Sequence, residues 1–234
     1  MVIEEYYKYE SFTKDIMRQF PLIRTEQLDL MLSNYFDEEL LDLKDIKWAL
    51  QSVNTVILSS DGWAMTPAMY KALTGIPEIP PAWSYTAKKK VKAPGMENYI
   101  YNYDLLGVVN CLWLVADMLP FAVHSTHAQH PFDISFITEP ETTDKVTIPS
   151  VLYELVYIPK NAHSLLMQLA NVKDNKAFPE YRNTVKRIAL VEDENDAVLV
   201  PHNGFTRICK INHTLPSHFE VIETRTGTTV WLDE

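Results

Sequence analysis

The segment that most constrains this chain runs from Pro131 to Lys160. It holds two apolar runs, Ile134-Ser135-Phe136-Ile137 and Val151-Leu152-Tyr153-Glu154-Leu155-Val156-Tyr157-Ile158. Each is tied to one acid: Asp133 just precedes the first, and Glu154 lies inside the second. Short runs rich in β-branched and aromatic residues, bounded by turn formers, read as strands. The polar stretch from Thr138 to Ser150 reads as the loop between them. Two carboxylates on neighbouring strands can hold Mg²⁺, a hard cation that takes oxygen ligands. A carboxylate inside an apolar strand costs free energy unless it has a partner. Glu154 therefore calls for a metal, an arginine or an exposed sheet face.

The sequence around this segment builds a mixed sheet. A long helix is predicted from Met96 to Met118, with Tyr99, Tyr103, Leu106, Val109 and Trp113 on its apolar face, and Pro120 ends it. Phe121-Ala122-Val123 reads as a short strand. After the two acid-bearing strands, Asn161 is expected to cap a helix carrying Leu165, Leu166 and Leu169. Arg187-Ile188-Ala189-Leu190-Val191 reads as a buried strand ending in the charged loop Glu192 to Asp196, and Thr206–Ile211 and Phe219–Thr224 add two more. The chain from 97 to 234 is thus expected to form one α/β domain.

Residues 8–75 predict three helices and a hairpin. Phe12, Ile16 and Phe20 recur at helical spacing, with Ser11 or Thr13 as the opening cap and Pro21 as the stop. Thr25 is expected to cap a second helix whose apolar face is Leu28, Met31, Leu32 and Tyr35. A third runs from about Asp42, with Leu43, Ile46 and Leu50 inward and Lys44, Lys47 and Gln51 on other faces. Val56-Ile57-Leu58 and Trp63-Ala64-Met65 flank Asp61-Gly62, a strong hairpin signal. Three helices followed by a hairpin is the order of a winged helix, in which the third helix enters the major groove. Lys44, Lys47 and Gln51 are then the groove-facing candidates, and contact with protein or use as a spacer is the equal alternative.

Residues 76–96 read as a linker, because Pro77, Pro80, Pro81 and Pro94-Gly95 break any regular element. The run Lys88-Lys89-Lys90-Val91-Lys92 makes it the one stretch in which cations outnumber acids. It can contact phosphates or serve as a solvated connector. The whole chain carries a formal charge of −10, so any affinity for DNA has to come from such local patches. No apolar run reaches the ~20 residues a membrane helix needs. The opening Met1 to Tyr6 has no basic segment followed by an apolar core, which sets the expectation of a cytoplasmic protein without a membrane partner. Cys111 and Cys209, both in apolar segments, are expected to be buried free thiols.

The order helix, three strands, helix, strand is the core topology of the restriction-endonuclease-like fold. Joined to an N-terminal winged helix, the chain resembles plasmid replication-relaxation-type proteins and related proteins of Gram-positive mobile elements. The resemblance spans most of residues 8–224 and implies an α+β protein with three parts. These are a winged-helix domain over 1–75, a Pro/Lys-rich linker over 76–96, and a mixed-sheet domain of restriction-endonuclease-like topology over 97–234. It further implies an association with double-stranded DNA or with a DNA-processing protein.

In a working nuclease of that fold, an Asp opens the second strand and an acid, a spacer and a lysine follow on the third. The carboxylates bind Mg²⁺, which polarises the phosphate, and the lysine steadies the developing charge. Strand residues two apart share a face, so the acid and lysine meet one phosphate. By resemblance, Asp133 and Glu154 stand at the acidic positions, but the lysine position is Val156. Lys160 has the right parity but lies ~20 Å further along an extended strand. Lys186 and Arg187 are the other displaced cations to consider.

The sequence therefore predicts a degenerate nuclease fold that binds rather than cuts, with no cofactor. The first alternative is an active Mg²⁺-dependent nuclease using Asp133, Glu154 and Lys160. The second is a protein-interaction scaffold that never meets DNA. His124, His127 and His130 sit in a stretch that reads as a loop, so their spacing does not gather three imidazoles for a metal.

Overall fold

A computed structural model describes residues 3–36, 56–76, 96, 99–100, 103–118, 122–126, 128–138, 140–142, 147–172, 178–181, 184–201, 204–212 and 219–225. It is an α+β protein with helices and two principal sheets. The chain divides into two compact units, residues 1–112 and 113–234.

In the first unit, α1 (Ile3–Gln19) leads into β1 (Leu22–Arg24) and α2 (Thr25–Phe36). Helix α1 starts at Ile3, well before the predicted cap, so Ser11 and Thr13 lie inside it. Its end just before Phe20-Pro21 is as expected. Phe12 rests against Tyr35 and Phe36 of α2, with ring centroids 4.4 and 5.5 Å away. Thr25 does not cap α2. Its N–H and hydroxyl both donate to the Gly62 carbonyl, tying the helix start to the hairpin. Gln27 takes over the capping role, its Oε1 accepting from the Arg24 N–H at 3.0 Å.

Strands β2 (Ile57–Leu58) and β3 (Trp63–Met65) form the expected hairpin. Gly62, at φ +83°, supplies the left-handed turn residue. β1 pairs antiparallel with β3, giving the order β1-β3-β2. A helix absent from the sequence prediction follows, α3 (Pro67–Thr74). The Thr66 hydroxyl caps it by accepting from the Met69 N–H, Pro67 opens it, and Gly75 closes it at φ +67°. The core of this unit joins Leu22, Ile57, Trp63, Met65 and Tyr70 to Met96, Ile100 and Val109.

Helix α4 (Tyr103–Met118) is shorter than predicted. Beyond it stands a six-stranded sheet of order β11-β10-β9-β8-β5-β4. β4 (Ala122–Thr126), β5 (Ile134–Thr138) and β8 (Leu152–Ile158) are antiparallel neighbours. β9 (Lys186–Val191) and β10 (Arg207–Ile211) continue parallel to β8, and β11 (Phe219–Thr224) closes the edge antiparallel. The loop between the acid-bearing segments contains a small ladder, β6 (Glu141–Thr142) with β7 (Thr147–Ile148). Helix α5 (His163–Ala170) joins β8 to β9. Asn161 is not its cap; it adopts a left-handed φ of +64°, and Ala162 opens the helix without a side-chain bond.

All seven residues of β8 are buried, as suits a central strand covered on both faces. One face carries Val156, Ile158, Ala189, Val191 and Ile208, packed with Phe132, Phe205 and Leu169 of α5. The other carries Tyr153, Leu155, Ile188, Leu190, Arg207 and Cys209, by the pairing of β8, β9 and β10. Both thiols, Cys111 and Cys209, are free and buried. Burial pushes the Cys209 thiol up to about 12.

Candidate functional site

The β5–β8 register sets Ser135 opposite Glu154 and Ile134 opposite Leu155. Asp133, one residue before β5, grips the backbone of β8 twice. Its N–H donates to the Leu155 carbonyl at 2.9 Å, and its Oδ2 accepts from the Tyr157 N–H at 2.7 Å. The acid thus extends the ladder by one rung beyond the strand, which is a structural role its position alone explains.

Glu154 is 1% exposed, and its partner is Arg187. The two are register partners on the parallel strands β8 and β9, and Arg187 Nε donates to Glu154 Oε2 at 2.8 Å. The guanidinium lies 5.4 Å from the Phe132 ring centre and against Gly204, where a Cβ would approach Nη1 to 3.3 Å. The Arg187 carbonyl accepts from both the N–H and the hydroxyl of Thr206. The cation that compensates Glu154 is therefore the chain's own arginine, seated in an apolar layer. A divalent ion at Glu154 would have to displace or abut that charge, which is unfavourable at low dielectric.

The remaining predicted residues are scattered. Val156 is buried in the apolar cluster on the same face, so no lysine stands two residues after the acid. Lys160 is exposed beyond the end of β8, at a cavity of about 350 Å³ lined also by Asn161, His163, Asp193 and Asn195. There the backbone N–H of Asn195 holds the Asp193 carboxyl below its usual range, with Lys160 and Lys210 adding to the effect. Lys186 precedes Arg187 and so belongs to the opposite sheet face. Lys44, Lys47, Gln51, Lys88, Lys89 and Lys90 lie outside the described residues.

His124 belongs to β4, and His127 lies outside the described residues. His130 Nε2 sits 2.9 Å from Gln168 Oε1 of α5. Among the described residues no group of three or more His, Cys, Asp or Glu side chains could hold a metal ion. No described helix is long and apolar enough to cross a membrane.

Sequence reasoning missed Arg207. It opens an apolar strand, as Arg187 nearly does, and no signal in the sequence marks either as buried.

Comparison with family models, with curated proteins and with solved structures found no match.

Proposed function

We propose that this protein is a DNA-associated accessory protein. It binds duplex DNA, or a partner that processes DNA, through its first unit, and its second unit is a nuclease-like body that does not cut. The observation that carries this reading is the order of the first unit. A helix, a strand and a helix precede a tight hairpin, and all three strands join in the antiparallel order β1-β3-β2. This order supports the winged-helix reading, in which Asp61-Gly62 is the tip of the wing. In the second unit, the antiparallel β4-β5-β8 and α5 leading to a parallel β9 support the restriction-endonuclease-like reading, with α4, which crosses the boundary between the units, as the helix before them. The Glu154–Arg187 pair favours binding over catalysis there. The mobile-element setting rests on the resemblance alone.

The test is fluorescence anisotropy of a labelled duplex with the full chain. Retention is expected near ~50 mM salt and its loss near ~200 mM, because release of phosphate counterions drives such binding. Exchanging Lys44 and Lys47 for Glu is expected to weaken binding. No retention at low salt would leave the scaffold reading. Plasmid cleavage in Mg²⁺ that Glu154→Gln abolishes would establish the nuclease instead.

A further inference from the structure

In the second unit, two connections cross the same face of the sheet. Helix α5 follows β8, and a short helical turn, Glu194–Leu199, follows β9. Both pack on the cluster of Val156, Ile158, Ala189 and Val191, through Leu169 of the helix and Ala197 of the turn. Where the two connections begin, just past the carboxyl ends of the parallel strands β8 and β9, lies the cavity of about 350 Å³. The crevice outside the carboxyl ends of parallel strands is where sheets with helical crossovers take small molecules. Every residue that lines it belongs to the second unit.

Three kinds of group line it. Lys160 is exposed and makes no ion pair among the described residues. It is near enough to Asp193 to help hold that carboxylate ionised, yet no ion pair joins the two. Asp193 is already served by the backbone and side-chain N–H groups of Asn195. Asp196, half-buried, is not: its Oδ2 is shut off from water and accepts no hydrogen bond among the described residues. A desolvated carboxylate oxygen costs free energy until a positive charge compensates it. Helix α5 opens at Ala162 without a side-chain cap, so no side chain takes the first-turn N–H groups that follow Lys160. Leu166 and Leu199 supply an apolar wall, and Leu199 is left 53% exposed.

We infer that this cavity binds a free α-amino acid with an apolar side chain. The carboxylate of the ligand meets the Lys160 ammonium and the uncapped start of α5, where the helix dipole favours an anion. The ammonium lies on the acidic side and compensates the Asp196 carboxylate. The side chain covers Leu166 and Leu199, removing their apolar surface from water. One cation without an ion pair and one acid without a donor call together for a zwitterion. A simple anion would leave Asp196 uncompensated, and a simple amine would leave Lys160 so. The volume suits a small ligand, whose pockets begin at roughly 300 Å³. The site shares no residue with the Glu154–Arg187 pair and does not depend on the DNA reading.

The test is thermal unfolding of the full chain with L-leucine as the probe. The Tm of the unchanged protein is expected to rise by about 5 °C between about 1 and about 50 mM leucine, for a roughly millimolar Kd. Isocaproate, which lacks the ammonium, and isoamylamine, which lacks the carboxylate, are compared at matched ionic strength. Each is expected to give less than half the rise. Lys160→Met and Asp196→Asn are each expected to weaken leucine binding about tenfold, which halves the rise, and together to abolish it. Lys160→Met changes an exposed side chain and keeps the test readable should Asp196→Asn fail to fold. No rise with leucine overturns the site, as does an undiminished rise in either variant. A rise with isocaproate equal to that with leucine marks an anion site at the helix start and overturns the zwitterion, and an equal rise with isoamylamine does the same from the acidic side.

Discussion

Lys186 and Arg187 are consecutive in β9 and so serve opposite faces of one sheet. On the Arg187 face the charge is balanced. Glu154 stands directly across in register, an aromatic ring lies below the guanidinium, and a glycine leaves room beside it. On the Lys186 face, Lys186, Arg207 and Tyr153 share one side of the sheet at the starts of three parallel strands, and burial and the Arg207 charge hold the Lys186 ammonium below its usual range. The contrast separates two meanings of a buried cation. One is a cation whose counter-charge is built into the same apolar layer, and the other is a cation crowded by a second one on its own sheet face.

The largest expected effect comes from breaking the balanced face. Arg187→Met leaves Glu154 buried without its cation and is expected to cost ~3–5 kcal/mol in urea unfolding. Replacing both residues, Glu154→Met with Arg187→Met, is expected to return stability to within ~1 kcal/mol of the unchanged protein, since a buried pair often equals an apolar one. A single variant that loses under ~1 kcal/mol would show that water reaches Glu154, and the two faces would then not differ as described.

Gly204→Ala probes the same face more gently. Gly204 has φ +95°, and an added Cβ would sit 3.3 Å from Arg187 Nη1. Backbone strain of this kind costs ~1–3 kcal/mol, and the crowding would loosen the ion pair. The part due to crowding is expected to vanish when Glu154 and Arg187 are already replaced by Met, leaving the backbone strain. Strictly additive losses would mean that Gly204 acts through its backbone alone.

Much of this was legible in the sequence, but the decisive contrast was not. The strands from Ile134 onward were readable because apolar runs bounded by turn formers have few other folds, and Asp61-Gly62 announced its hairpin. Helix α3 was overlooked although Thr66, Pro67 and Gly75 are a complete set of start and stop signals, because its eight residues carry little apolar periodicity. Helix α1 starts at Ile3, and Glu4 and Glu5 in its first turn are a start signal that the cap candidates Ser11 and Thr13 outweigh. Asn161 has the right side chain for a cap but takes a left-handed turn instead. For the site, both partners of the buried pair were named, Glu154 as an acid needing an explanation and Arg187 among the displaced cations. Pairing them requires the β8–β9 register, which depends on strand order and no local signal.

The smallest effect at neutral pH, and the one that tests the unbalanced face directly, is that of Tyr153→Phe. Burial pushes the Tyr153 hydroxyl up to about 12 from 10.0, while the Arg207 charge opposes the shift. The folded state holds this proton more tightly than the unfolded chain does. Its stabilising contribution is therefore complete below pH 10 and lost as pH rises from 10 to about 12. Cys209, raised from 9.0 to about 12 on the same face, loses its contribution from pH 9 upward. Tyr153→Phe is expected to change stability by under ~1 kcal/mol near neutrality, because the hydroxyl is the only group removed. In alkali it should be the more stable protein, keeping the decline due to Cys209 and losing that due to the phenol. Arg207→Met removes the one influence that lowers the tyrosine, so it should move the tyrosine part of the alkaline decline to higher pH. Urea midpoints across the alkaline range decide this. Coincident curves for the unchanged protein and Tyr153→Phe would mean that the phenol ionises freely, and that this face is not closed to water.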